Sequence, residues 1–195
     1  MGKLVCLIGK SSSGKDTIYR ELLKDTAFKL KKVVLYTTRP IRDNETDGVQ
    51  YHFVDEKEFE RLSEDGKVIE SRVYHTYHGD WRYFTVDDGK INLEHHNYLM
   101  IGTLDSYVET AEYFGREKVI PIVIEVDDGI RLQRAINREM AQETPKYEEM
   151  CRRFLADAED FSDEKIYNLG INVRFNNENL VDCLNNINEY LTEYI

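Results

Sequence analysis

Gly2-Lys3-Leu4-Val5-Cys6-Leu7-Ile8-Gly9-Lys10-Ser11-Ser12-Ser13-Gly14-Lys15-Asp16-Thr17 opens the chain and decides its fold. Residues 4–8 are an apolar run of strand length, the pattern of a strand buried on both faces. Gly9 ends the run, four residues follow, and Gly14-Lys15 lead into a helix expected from about residue 16 through Leu22-Leu23. A strand, a Gly-rich loop and a helix in that order are the setting of the G-x-x-x-x-G-K phosphate loop. Glycines let backbone N–H groups turn inward around a phosphate, and the helix N-terminus adds unpaired donors with partial positive charge. Gly9, Lys10, Ser11, Ser12, Ser13 and Gly14 are therefore the candidate cradle, with Lys15 reaching the β- and γ-phosphates. The next place in the motif usually holds Ser or Thr as a Mg2+ ligand. Here Asp16 occupies it and Thr17 supplies a hydroxyl one residue later, which makes both candidate metal-site residues.

The bulk composition narrows the function classes. At 195 residues the chain suits one α/β domain with insertions. A net charge of −11 argues against a general nucleic-acid or anionic-membrane surface, because both attract cationic proteins. A polyanionic small molecule then requires arginines gathered locally. Cys6, Cys151 and Cys183 are scattered with no C-x-x-C spacing, which reads as reduced thiols in a cytoplasmic setting. No stretch approaches the ~18 apolar residues of a membrane span. A monomer and a homodimer are both compatible with the chain.

Residues 31–36 read as a second strand, followed by Thr37-Thr38-Arg39-Pro40-Ile41-Arg42. Pro40 stops regular structure, so Arg39 and Arg42 sit beyond a strand's carboxyl end, where open α/β sheets bind ligands. Their guanidinium forks suit a phosphate. A turn at Asp47-Gly48 and a short strand precede Asp55, which is expected to cap a helix over 56–65 with Glu58 as capping-box partner. Residues 68–74 and 81–86 read as strands around a turn at Gly79-Asp80, making 39–86 a small α+β insert. The main sheet resumes at 98–103, followed by a helix over 105–114 and a strand over 119–126 in which Pro121 marks an entry kink. A helix over 129–140 carries Arg131, Arg134 and Arg138. Another runs from about 146 to 161 and bears Arg152 and Arg153, before a strand at 171–175 and a helix at 180–191. This alternation predicts an α/β fold with a doubly wound, mainly parallel sheet.

Arg134 and Arg138 are four apart and share a helical face. The polar segment between their helix and the next has the character of a mobile lid, spanning about 139–148. If it closes over the phosphate loop, Arg134, Arg138 and Arg153 reach the γ-phosphate as it transfers. The alternative is a solvated, salt-bridged surface shared with Glu139, Glu143, Glu148 and Glu149. His75, His78 and His95-His96 read as surface or substrate-lining residues rather than a metal site, and Trp81 as packing of the insert.

With these blocks in order, the chain resembles a guanylate kinase. The resemblance rests on Gly9-Lys10-Ser11-Ser12-Ser13-Gly14-Lys15, Thr37-Thr38-Arg39-Pro40-Ile41-Arg42 and Glu45-Thr46-Asp47-Gly48-Val49-Gln50-Tyr51-His52-Phe53-Val54. It continues through Val68-Ile69-Glu70, Arg134-Ala135-Ile136-Asn137-Arg138 and Arg153-Phe154-Leu155. It implies a P-loop kinase with a core (1–38 and 87–195), an insert that binds the nucleoside monophosphate (39–86) and a lid, using ATP and Mg2+ to phosphorylate GMP. By the same resemblance Arg39, Arg42 and Tyr51 hold the GMP phosphate, Glu70 reads the guanine edge and Asn176 contacts adenine. Lys15, Arg39, Arg134, Arg138 and Arg153 carry the transfer. Four places depart from the family pattern: Asp16, Leu35, the stretch Tyr77-His78-Gly79-Asp80-Trp81, and Thr103, which stands where an acid that reads guanine is usual. These departures open the acceptor to another nucleotide or a phosphorylated sugar. A non-catalytic, protein-binding module of the same fold is a third possibility.

Overall fold

The structure, a computed structural model, describes residues 1–76 and 79–195. The opening apolar run forms β1 (Leu4–Gly9), every residue of which is buried. Around it lie β2 (Leu30–Lys32), β7 (Asn97–Gly102), β8 (Val119–Glu125) and β9 (Arg174–Asn176), in the order β2-β7-β1-β8-β9 with every pairing parallel. A parallel sheet covered on both faces explains why these runs are continuously apolar rather than alternating. The two-residue period of β1 divides the core. Leu4, Cys6 and Ile8 pack with Leu104, Tyr107, Phe161 and Ile166 on one face; Val5 and Leu7 pack with Ile18, Leu22, Cys183 and Ile187 on the other. The covering helices are α3 (Leu104–Phe114) and α6 (Asp163–Asn168) on the first side, α1 (Lys15–Lys24) and α7 (Leu180–Thr192) on the second. The doubly wound, mainly parallel α/β fold is thus as expected. Among the described residues, no helix is long and apolar enough to cross a membrane.

A second, four-stranded sheet in the order β4-β3-β6-β5 joins β3 (Tyr36–Thr37), just ahead of the insert, to β4 (His52–Phe53), β5 (Val68–Thr76) and β6 (Gly79–Val86) within it. Leu62 of α2 (Glu56–Glu64) packs there with Phe84 and Val86. Asp55 caps α2 by accepting the Glu58 N–H at 2.8 Å, but Glu58 turns its carboxylate to Arg61 instead of closing the box. Three sequence expectations are corrected. The run 31–36 is not one strand: β2 ends at Lys32, Val33 still donates to the Leu99 carbonyl, and the chain then crosses to pair as β3 in the other sheet. The hairpin strands are longer than expected, and α6, capped by Ser162, leaves no amphipathic pattern in the sequence because only Ile166 along it is buried. Pro121 lies inside β8 opposite Cys6; β9 joins only from Val123, so the proline occupies a stretch with one partner strand, where a missing N–H is tolerated.

Leu7 is fully buried at the centre of this sheet. Leu7→Ala is expected to lower unfolding free energy by about 2–5 kcal/mol through lost burial and a residual cavity, measured by urea denaturation.

Candidate active site

β1 delivers Gly9 to the carboxyl edge of the main sheet, and α1 begins six residues later. Gly9 has no room for a side chain, since a Cβ would lie 2.6 Å from the Ile124 carbonyl oxygen. Ser12 and Gly14 adopt left-handed φ values of 63° and 91°, which curl the loop back on itself. Ser13 N–H donates to the Lys10 carbonyl at 3.2 Å. Among the described residues, no protein acceptor takes the amides of Ser12, Gly14, Lys15 or Asp16, and Gly14 caps α1 without a side-chain hydrogen bond. The buried hydroxyls of Ser12 and Ser13 likewise have no partner. Buried polar groups are normally paired, so two orphaned hydroxyls beside unpaired amides at a helix N-terminus suit an anion. Lys15 Nζ donates to the Lys10 carbonyl at 3.3 Å; burial pulls its pKa below the ordinary lysine value, with Asp16 and Asp157 opposing.

The loop is braced from behind by Asn177, the residue next to the expected Asn176. Asn177 is buried, donates from Nδ2 to the Ser13 carbonyl at 2.7 Å and from its own N–H to the Glu125 carbonyl at 2.8 Å. Its carbonyl accepts from Arg134 Nη2 at 2.9 Å, and a Cβ on Gly14 would collide with its Nδ2. The expected neighbour, Asn176, stands opposite Glu125 in the β8–β9 register and lines a cavity of about 460 Å³ beside Gly9 and Lys10. Two adjacent asparagines after a strand were the available signal; which one faces the loop depends on the register of β9.

On the other side stand α4 (Asp128–Met140) and α5 (Tyr147–Asp160), joined through residues 141–146. Asp157 Oδ2 accepts both the Ser11 N–H at 2.7 Å and Arg131 Nη1 at 3.0 Å. Arg131 also donates from Nε to Asp128 at 2.9 Å, lies 3.8 Å over the Phe154 ring, and keeps Nη2 without a partner. Arg153 Nη2 reaches Ser11 Oγ at 3.0 Å. Arg42, Arg138 and Arg153 line one cavity of about 290 Å³ together with Ser11, Ser12 and Lys146. The three arginines drawn from separate parts of the sequence therefore converge on the loop, while Arg134 spends a donor on its brace. The salt-bridged alternative holds for Arg152, which pairs with Glu149 at 2.7 Å on the exposed side, and in part for Arg138, whose Nε lies 3.8 Å from Glu139.

The insert presents a different picture. Arg39 is buried and locked: its guanidinium meets both Glu45 oxygens at 2.7 and 2.5 Å, Tyr83 Oη at 3.1 Å and the Pro40 carbonyl at 2.9 Å. It lies over the rings of Tyr51 and Phe53 at 5.2 and 5.3 Å. Glu70 is buried too, accepting from Thr85 Oγ1 at 2.6 Å and pairing with Arg72 Nε at 3.1 Å; burial raises its pKa, and Arg72 opposes that. Thr103 is the N-cap of α3, its Oγ1 accepting from the Ser106 N–H at 3.2 Å in a reciprocal capping box. Leu35 packs against the core face of the main sheet. Tyr77 and His78 lie outside the described residues; His75 is exposed and meets Asp80 at 2.7 Å. Asp16 is exposed on the first turn of α1, and Thr17 Oγ1 accepts from Arg20 at 3.3 Å. Among the described residues, no three His, Cys, Asp or Glu side chains gather as a metal cage. Cys6 and Cys183 are buried free thiols, pushed up by burial to about 12 and about 11, and Cys151 is an exposed one.

A parallel sheet whose middle strand ends in a loop of unspent amides, faced by convergent arginines, defines a phosphate-loop α/β protein. Residues 1–193 match the family described as guanylate kinase, and the chain belongs to that family. Curated relatives share shorter stretches. The guanylate kinase of Brucella melitensis biotype 1 is 42% identical over 82 residues, 42% of this chain and 37% of that protein. That of Schizosaccharomyces pombe is 43% identical over 72 residues, 37% of this chain and 36% of that protein. The matched stretch thus spans well under half the length of these relatives. A crystal structure of guanylate kinase from Anaplasma phagocytophilum superposes with a TM-score of 0.69 at 21% identity, covering 100% of this chain and 87% of that one, a likeness of fold.

The Arg39–Glu45 pair makes a pH prediction. Arg39 holds the Glu45 carboxyl at about 2, below its ordinary 4.5. A depressed acid stabilises the fold above its unfolded pKa and loses that contribution as pH falls through the folded value. Urea midpoints are therefore expected to fall between pH 4.5 and about 2, and Glu45→Gln is expected to flatten that part of the profile.

Proposed function

We propose that this protein transfers the γ-phosphoryl group of ATP to a nucleoside monophosphate, with GMP the acceptor and ADP and GDP the products. The observation that carries the reading is the set of unpaired amides at Ser12, Gly14, Lys15 and Asp16, in a loop whose Ser11 and Ser12 line a cavity with Arg42, Arg138 and Arg153. An acceptor phosphate is already a nucleophile, so no strong general base is needed; in-line positioning and charge neutralisation carry the chemistry. An acceptor oxygen bonds to the γ-phosphorus as the bond from that phosphorus to the β,γ-bridging oxygen breaks. Lys15 and the loop amides grip the β- and γ-phosphates, Arg138 and Arg153 neutralise the group in flight, and Arg134 holds the loop through Asn177. Arg42 and Tyr51 bind the acceptor phosphate, joined by Arg39 when Glu45 releases it, and Glu70 reads the base. Residues 39–86 act as the acceptor-binding insert, 139–148 as the lid, and 1–38 with 87–195 as the core. Mg2+ takes few protein ligands and keeps waters and phosphate oxygens. The exposed carboxylate of Asp16 fits that role, with Thr17 beside it, and the ion supplies neutralisation of the phosphate charge.

A second acceptor, another nucleotide or a phosphorylated sugar, has one observation in its favour: Thr103, where an acid would read guanine, spends its hydroxyl on the Ser106 cap, whereas Glu70 keeps its buried Oε2 without a hydrogen-bond partner.

Coupled ADP release across GMP, dGMP, AMP, UMP, CMP and ribose phosphates is expected to give the highest kcat/KM with GMP; turnover of another acceptor without GMP turnover would move the proposal to that acceptor. Lys15→Ala is expected to cut turnover by about 100-fold or more with unchanged far-UV circular dichroism. Undiminished activity in that variant would refute the role of the loop.

A further inference from the structure

We infer that Arg131 is a positioning residue: it neutralises and holds Asp157, so that α5 docks on the phosphate loop with Arg153 beside Ser11. The inference rests on the phosphoryl-transfer reading above and extends it to a pair given no role there.

The guanidinium of Arg131 is 1% exposed, yet apolar packing could fill that place at no electrostatic cost. Buried ion pairs are weak contributors to stability, so the pair is better explained by what it arranges than by net stabilisation. Its geometry is specific. One oxygen, Asp157 Oδ2, receives both Arg131 Nη1 at 3.0 Å and the Ser11 N–H at 2.7 Å. Asp128 and the Phe154 ring fix the guanidinium from two further directions. Asp157 therefore ties α5 to the loop, but a bare carboxylate there would repel the phosphates the loop is built to bind. Arg131 offsets that charge, shared as it is with the more exposed Asp128. Arg153 lies four residues before Asp157, on the same face of α5, and its Nη2 contacts Ser11 Oγ at 3.0 Å. Two links from one helical face to one loop residue set where α5 sits, and Arg131 secures the tighter of them.

The experiment is titration calorimetry of Mg·ATP with the full chain, alongside steady-state kinetics and thermal melts. Arg131→Leu is expected to weaken ATP binding about tenfold, because Asp157 is left charged beside the phosphates, and to lower kcat as Arg153 loses its seat. Arg131→Lys is expected to restore most of both. The double variant Arg131→Leu/Asp157→Asn is expected to regain ATP affinity without regaining kcat, a split that a merely structural role for Arg131 does not produce. Should Arg131→Leu fail to fold, Arg131→Gln, which keeps a donor to Asp157 without the charge, is expected to show the same loss of affinity. ATP binding equal to wild type in Arg131→Leu or Arg131→Gln, or a double variant as weak as Arg131→Leu, overturns this inference and leaves the proposed function standing. Absence of ATP binding to the wild-type protein overturns both.

Discussion

Everything in this molecule depends on a group of backbone amides left without acceptors. The central strand cannot end in an ordinary turn: at Gly9 the neighbouring Ile124 carbonyl leaves no space for a side chain, and Ser12 and Gly14 must take left-handed conformations. Such a loop is costly in isolation, since φ > 0 is unfavourable for Ser and the buried Ser12 and Ser13 hydroxyls lack hydrogen-bond partners. It persists because the surroundings over-determine it. Asn177 holds it from behind through the Ser13 carbonyl, Asp157 from the side through the Ser11 amide, and β1 from beneath through an apolar strand buried on both faces.

That arrangement reconciles an acidic protein with a polyanionic ligand. At a net charge of −11 the surface as a whole repels phosphate, so attraction has to be local and made from fixed dipoles and a few convergent guanidiniums. Arg42, Arg138 and Arg153 supply it from three separate segments. The other arginines near the site are already engaged, Arg39 by Glu45, Arg131 by Asp128 and Asp157, and Arg134 by the carbonyl of Asn177. Arg131 does both, lining the same cavity with an unpartnered Nη2 while it holds the frame.

What could be read from sequence was what is local. The phosphate loop is contiguous, its strand is a continuous apolar run, and Arg134 with Arg138 follow helical spacing, so fold class and the cationic cluster were legible. What could not be read depends on partners far along the chain. Asn177 meets Ser13 across 164 residues and Asp157 meets Ser11 across 146, and neither pairing leaves a periodic trace. The split of residues 31–36 between two sheets was hidden because both halves favour strand; only the pairing of β2 with β7 and of β3 with β6 separates them. The engagement of Glu70 and Thr103 was equally invisible, since a buried acid and a helix-capping threonine look in sequence like any exposed strand acid and loop hydroxyl.

The most direct measurement of the central claim is a backbone amide chemical-shift titration with Mg·ATP on the isotopically labelled protein. The account predicts that the largest perturbations fall on Ser12, Gly14, Lys15 and Asp16, with smaller ones at Asn177. Saturation with perturbations confined to other surfaces, or no change at these amides at all, would contradict it.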